Sequence, residues 1–492
     1  MTCMPAHSIK RSESGLRGMN FQRAHFIGIA GAGMSAVAKL LHDAGVRITG
    51  SDEGVYPPVS EFLAELGIAY NTHFAAANVP ADADVIVIGK NARLVPETNA
   101  EVAAAYASGI RVMSFPEVLS EISLDKETVV IAGAFGKSTS TALLAHCLDT
   151  QREGAGADPS WFIGAIPLTP PTNARMGKGR LFVLEGDEYP SSNTDPRSKF
   201  LHYHPKHLLL TPIAHDHVNV FPTPEDYVRP FVELTRLVPA DGSITMCVEG
   251  PLSGKLLETI SRPVVTFGVK AGDFHAADIA WGERTRFTLM RGAQKIVSLE
   301  TSQLGAHNVQ NIIGVSAFLL THGLMTPARL AAAVASFRGI RRRLDRKSEK
   351  TRLPIFEGFG SSYDKARSAI AAMKQHFPAQ RLMVVFEPHT FSWRNRDAIA
   401  WYDDVFDGAG KVFIYEPAAQ GASTHAQVSQ QEIVDRVTGA GFDAEPISDP
   451  DAALSAIGAA LRPDDVVLLL TSGNLGGLIE TLPALAERRW PR

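Results

Sequence analysis

Lys137 and Ser138 close the stretch "GAFGKST", where a β-branched apolar run, "ETVVIA", gives way to the helical "TALLAHCL". An ammonium and a hydroxyl at such a turn suit a phosphate and its metal ion. Backbone N–H groups at a helix N-terminus point at an anion, lysine adds a full charge, and a Ser or Thr hydroxyl can ligate Mg2+. Gly133, Gly136, Lys137, Ser138 and Thr139 are therefore read as a site for a nucleoside triphosphate. The stretch is shorter than the complete G-x-x-x-x-G-K-[ST], because Ile131 stands where the first glycine would fall. An ordinary turn with a solvated lysine is the alternative.

A second glycine turn lies earlier. After "HFIGI", the residues Gly31, Gly33 and Ala36 satisfy G-x-G-x-x-G/A, and Asp52 ends the next strand about 20 residues on, the spacing of a dinucleotide fingerprint. Such a turn binds any pyrophosphate, that of a UDP-sugar included. Two acidic or histidine-bearing strand ends follow: "VLEGDEY" with Glu185, Asp187 and Glu188, and "TPIAHDHVNVF" with His215, Asp216 and His217. Oxygen ligands with one histidine suit Mg2+. His202, His204 and His207 in "HYHPKH" lack zinc spacing and read as a surface loop. "LGAHNVQN" places His307 and Asn308 early in a helix, and the run "RRRLD" makes Arg342 and Arg343 clamps for ATP phosphates.

The elements that must position these groups alternate between strand and helix almost from end to end, which predicts an α/β protein with largely parallel sheets. A length of 492 residues calls for about three domains. Residues 1–20 read as a disordered extension, with Met19 as a possible alternative start. Residues 21–125 form a Rossmann-like domain, 126–346 a central P-loop ATPase-like α/β domain, and 347–492 a Rossmann-like C-terminal α/β domain whose strands include "RLMVVFEPH", "KVFIYEP" and "DDVVLLLTSGN". A net charge of -4 offers no general attraction to nucleic acid or acidic membranes, and no apolar run suits a membrane span. Three scattered cysteines, Cys3, Cys147 and Cys247, fit a reducing cytoplasm. The expected partners are small molecules, and the expected state is a monomer or homodimer.

Taken in order, "HFIGIAGAGMSAVAKLL" with "GSD", "YPPVSEFL", "GKST", "EGDEY", "RSKFLHYHP" and "TSGNLGG" resemble the Mur ligase family, the ATP-dependent amide ligases of bacterial cell-wall synthesis, over nearly the whole chain from His25. The resemblance implies one domain for a UDP-sugar, a central ATPase domain and a C-terminal domain that delivers an amine. It also implies an acyl phosphate made from a UDP-N-acetylmuramate-type carboxylate and ATP, then captured by an amino acid or peptide. Gly31, Gly33, Met34, Ser51 and Asp52 would hold the UDP part. Lys137 would stabilise the transferred phosphoryl group, Ser138, Glu185 and His217 would hold Mg2+, and His307, Asn308, Arg342, Arg343 and Glu357 would contact ATP. The chain departs from the family pattern at Ala134 and Phe135, at Pro212 and Ala214, at Glu357, Gly358, Ser361 and Ser362, and at Trp393, where an arginine is common. Retargeting to another carboxylate and amine, and a weakened UDP-sugar sensor, are the alternatives these raise. An NAD-dependent oxidoreductase resting on the Gly31–Gly33 turn would leave the Lys137–Ser138 turn unused.

Overall fold

The computed structural model describes residues 21–55, 59–151, 153–217, 220–416 and 427–492. The expected extension 1–20, and residues 56–58 of "YPPVSEFL", lie outside them. The chain divides into two compact units. The first runs through Ile166 and adds Pro170–Phe274 and Gly314–Thr326; the second comprises Pro167–Thr169, His275–Ile313 and Pro327–Arg492.

The first unit begins with a parallel sheet built from β1 (Arg23–Ile27), β2 (Arg47–Ser51), β3 (Ala69–Asn71), β4 (Val85–Ile88) and β5 (Arg111–Met113), in the order β3-β2-β1-β4-β5. Residues 24–27 and the whole of β4 are buried, as strands covered by helices on both faces must be. The helix α1 (Ala32–Asp43) lays Met34, Val37, Leu40 and Leu41 into the core, and α2 (Val59–Glu65) adds Leu63. Two more helices, α3 (Ala100–Ala107) and α4 (Phe115–Ile122), begin at Asn99 and at a Ser114–Glu117 capping box. Strand order reverses between β1 and β4, and a crevice opens at the carboxyl ends of such a pair.

The same unit continues with β6 (Glu127–Ala132), α5 (Lys137–Asp149), β7 (Ser160–Phe162), β8 (Ala174–Arg175), β9 (Leu181–Glu185), β10 (His207–Leu210), α6 (Pro224–Leu237), β11 (Ser243–Cys247), α7 (Ser253–Leu257) and β12 (Val265–Phe267). Strand order is β12-β11-β10-β6-β9-β7-β8, parallel except for β7 with β8. Every α5 residue from Ser138 to Leu148 is buried, so this helix has no polar face and lies inside the domain.

One expectation fails here: His207 is not on a surface loop. It opens β10, is buried, bonds Ser243 through Nδ1 at 2.9 Å and stacks on His322 with ring centroids 4.5 Å apart. The polar look of "HYHPKH" hid a strand start, because Ser243 bonds the imidazole and His322, itself bonded to Ser243, packs against it, both from distant sequence positions.

In the second unit β14 (Thr285–Arg291) and β15 (Gln294–Thr301), which follow β13 (Phe274–Ala280), pair as an antiparallel hairpin that interrupts the expected βα alternation. Next come α8 (Ala306–Thr321), whose residues from Gly314 on are counted with the first unit, then α9 (Pro327–Ser336), β16 (Arg343–Arg346), β17 (Ile355–Phe359), α10 (Tyr363–His376), β18 (Arg381–Phe386), β19 (Lys411–Tyr415), β20 (Ala444–Ile447) and β21 (Asp465–Thr471). The last sheet has the order β16-β17-β21-β18-β19-β20, parallel except for β16 with β17. Three sheets with covering helices agree with the expected α/β class.

Candidate active site

The turn between β6 and α5 is set by two glycines. Gly136 caps α5 at φ +85°, and Gly133 has φ +141° with its Cα so close to β10 that a Cβ would lie 2.2 Å from Thr211 Oγ1. Lys137 Nζ donates to the carbonyls of Gly133 (2.6 Å) and Ala134 (3.2 Å) and to Glu188 Oε1 (3.1 Å), which fixes the ammonium over the turn. Pro212 lacks a donor, yet its carbonyl accepts the Ala134 N–H at 2.9 Å, so the loop is held by backbone. Phe135 projects into solvent.

Glu185 ends β9 beside this turn. Its Oε1 accepts from Ser138 Oγ at 2.7 Å and its Oε2 from Gly164 N at 2.6 Å; a Cβ on Gly164 would lie 2.8 Å from Oε1. Two hard oxygens at that separation match neighbouring ligands of an octahedral Mg2+, which stand about 2.9 Å apart when each bond is near 2.05 Å. The donor set therefore fits Mg2+. No cluster of three His, Cys, Asp or Glu able to hold a metal occurs among the described residues.

His217, the third expected metal ligand, meets a different carboxylate. Its Nε2 lies 3.2 Å from Glu188 Oε1, and its backbone, at φ +56°, is held by Asp216. The Glu188 carboxylate raises the His217 pKa above its ordinary value; burial opposes this and Asp216 assists. Glu188 is fully buried and also accepts from Tyr227 at 3.3 Å. One carboxylate thus binds Lys137, His217 and Tyr227. The sequence offers Glu188 in "EGDEY" only as one of three carboxylates suited to Mg2+, not as the partner of Lys137 and His217, and the ring of Tyr189, 4.4 Å from that of His217, was unassigned.

At the β1/β4 crevice, Gly31 caps α1, and Gly33 packs so tightly that a Cβ would meet the Phe115 ring at 3.1 Å. Ser51 accepts through its carbonyl from Gly28 N (2.8 Å) and Ile29 N (3.2 Å), Asp52 Oδ2 accepts from Ala30 N at 2.7 Å, and Met34 is buried beneath. Ser51 and Asp52 thus shape the loop from behind. The Ser51 hydroxyl bonds Glu101, a fully buried carboxylate that also meets His25 at 2.9 Å.

The remaining assigned residues belong to the second unit. Arg342 and Glu357 meet there (Nε to Oε1 3.1 Å), and Lys347 joins them at 2.7 Å from Glu357 Oε2. Arg343, at the start of β16, is exposed, as is His307. Asn308 is buried, with its amide bonded to Leu304 O at 2.8 Å. Ser362 caps α10, and Ser361 accepts from Lys365. Trp393 is fully buried and donates to Gly360 O at 2.7 Å, so it serves the core. A histidine–carboxylate pair, His389 with Glu387 at 3.3 Å, lies at the carboxyl end of β18.

The α/β sheets, the Lys137–Ser138 turn beside Glu185 and the Gly31–Gly33 crevice agree with the class that the comparisons define, an ATP-dependent ligase. The comparisons specify it. Residues 23–127 match the description "Mur ligase family, catalytic domain", 131–319 "Mur ligase middle domain", and 342–473 "Mur ligase, glutamate ligase domain". A UDP-N-acetylmuramate–L-alanine ligase of Burkholderia multivorans is 30% identical over 470 residues, 92% of this chain and 96% of its own. The ligase of that name from Halorhodospira halophila is 32% identical over 471 residues, 93% and 92%. Among solved structures, the UDP-N-acetylmuramate–alanine ligase of Thermotoga maritima has a TM-score of 0.72 at 22% identity, covering 95% of this chain and 97% of its own, a likeness of fold. The UDP-N-acetylmuramate:L-alanyl-γ-D-glutamyl-meso-diaminopimelate ligase of Neisseria meningitides has a TM-score of 0.59 at 28% identity, covering 65% and 99%. The chain belongs to the Mur ligase family, and this favours a ligase over a sensor or an oxidoreductase.

Proposed function

We propose that the protein forms an amide between a UDP-N-acetylmuramate-type carboxylate and an amino acid or peptide, driven by ATP, in peptidoglycan synthesis or recycling. The substrate carboxylate attacks the γ-phosphorus of ATP; a new P–O bond forms as the bond to the β-phosphate oxygen breaks, leaving ADP and an acyl phosphate. The neutral amine then attacks the acyl carbon, and the C–O bond to phosphate breaks as the amine loses a proton. Positioning and neutralisation of charge do most of this work. Lys137 neutralises the phosphoryl group in flight. Ser138 and Glu185 would hold Mg2+, which when bound supplies charge to the phosphate oxygens; His217 is poised beside them through Glu188. Arg342, Arg343, His307, Asn308 and Glu357 are assigned to ATP, and Gly31, Gly33, Met34, Ser51 and Asp52 to the UDP part.

The observation that carries this reading is the pairing of Ser138 with Glu185 beside the Lys137–Glu188–His217 group. The deciding assay combines protein, ATP, Mg2+ and UDP-N-acetylmuramate with single amino acids and with L-Ala-γ-D-Glu-diaminopimelate, following phosphate and product mass. One phosphate per amide product is expected; phosphate without incorporation of the sugar nucleotide, or no phosphate with any amine, would refute it. Among the described residues no helix is long and apolar enough to cross a membrane. The cytoplasm, where ATP is supplied, is the proposed site of action, and the oligomeric state is assigned as monomer or homodimer.

A further inference from the structure

Lys90 follows Gly89 at the end of β4, on the crevice where strand order reverses. Gly89 itself leaves room for the glycine turn: a Cβ there would meet Ile27 O at 3.3 Å and Met34 Cγ at 3.5 Å. The Lys90 side chain turns toward Tyr189, with Nζ 5.9 Å from the ring centroid, and its hydrogen-bond partner is a carbonyl, Pro190 O, at 3.3 Å. Among the described residues no carboxylate lies within 4 Å of it. A second ammonium, that of Lys199, stands 5.9 Å from the same ring and 5.4 Å from the ring of Phe115, which packs on Gly33 of the glycine turn. Asp187 pairs with Lys199 at 2.5 Å, so Lys199 is neutralised locally and Lys90 is not.

Two ammonium groups facing one ring, at the mouth of a crevice suited to phosphates, leave a net positive place for an anion. Partial desolvation of the ammonium beside its neighbours, and then the proximity of Lys199, depress the Lys90 pKa, against a smaller pull from Asp187. A second anionic group of the same ligand could instead be the partner, the acid that is to be activated. Two placements favour the diphosphate: Lys90 follows Gly89, which packs on Ile27 and Met34 beside the glycine turn, and Lys199, on the same ring, stands over Phe115, which packs on Gly33. Tyr189 also faces His217, so binding measurements separate diphosphate from acid.

We propose that Lys90 is the cation that binds the diphosphate of the sugar nucleotide, with Tyr189 as its platform and the Lys199–Asp187 pair fixing that platform. This rests on the UDP-sugar reading above and adds a residue to it.

The test measures binding of uridine, UDP and UDP-N-acetylmuramate to the full chain by calorimetry, with a non-hydrolysable ATP analogue saturating the other nucleotide site. Lys90→Gln should weaken UDP and UDP-N-acetylmuramate alike, on the order of tenfold, and leave uridine unchanged. Lys90→Arg should recover most of the loss, and in turnover the defect should appear in KM for the sugar nucleotide rather than KM for ATP. Circular dichroism and melting of Lys90→Gln should match the parent, since this exposed side chain makes one long hydrogen bond. UDP bound as tightly by Lys90→Gln as by the parent would overturn the assignment. So would a loss confined to UDP-N-acetylmuramate, which would move Lys90 to the acid. A parent protein indifferent to UDP and UDP-N-acetylmuramate would remove the underlying reading and the lysine's role with it, a result visible before any variant is made.

Discussion

Glu188 has no exposed surface and is approached by an ammonium, an imidazole and a phenol. A buried carboxylate is tolerated only when its partners are in place, so each of the three depends on it. Because its partner raises the His217 pKa, the stabilisation from that pair is full below the ordinary imidazole value of 6.5 and is lost as pH rises through the raised one. Glu188→Gln should shift the His217 ring titration to lower pH, read by the imidazole proton resonances; an unmoved titration would contradict the pairing. Lys137→Met should lower kcat for phosphate release on the order of 10³-fold, the loss expected when a preorganised charge is removed from a transition state. Ser138→Ala takes one of two oxygens from the proposed metal position, and should raise the Mg2+ concentration for half-maximal activity while the melting temperature moves little.

At the scale of elements, the β6–α5 turn depends on a backbone that only glycine permits. Gly133→Ala places a carbon 2.2 Å from Thr211 Oγ1 at φ +141°, and should destabilise the protein by about 3 kcal/mol in urea unfolding. The histidine pair at the opposite ends of these strands makes a second prediction. Burial, and then His322, hold the His207 pKa at about 4, so the folded protein resists a proton that the unfolded chain accepts near 6.5. Stability should therefore fall as pH drops from about 6.5 to about 4, and His207→Asn should flatten that slope; denaturant midpoints across the window test it. The strands that position the phosphate turn were legible because apolar runs stop at polar turns, as "ETVVIA" stops at "GAFGKST". The partners were not: Glu188 lies 51 positions from Lys137, and His207 and Ser243 are 36 apart, distances that only a folded sheet closes. The hairpin β14–β15 escaped for another reason, since neither strand carries a clean alternation of buried and exposed residues.

For the molecule as a whole, the α/β class of the sheets among the described residues follows from strand and helix periodicity, while the balance of its interior chemistry does not. Cys147 and Cys247 are both buried, and burial pushes their thiols to about 12 and about 11. Neither should react with a disulfide reagent in native buffer at neutral pH, and both should react once the chain is unfolded; labelled-peptide masses would identify them. Asn193, downstream of the acidic strand end, donates through Nδ2 to the carbonyls of Asn91 (2.8 Å) and Leu94 (3.0 Å), beside the crevice. That short clasp ties the loop after β9 to the loop after β4. A ligand that settles either loop spares the other the entropy of settling, so whichever nucleotide arrives first should tighten the second, and by the same factor in both orders of addition.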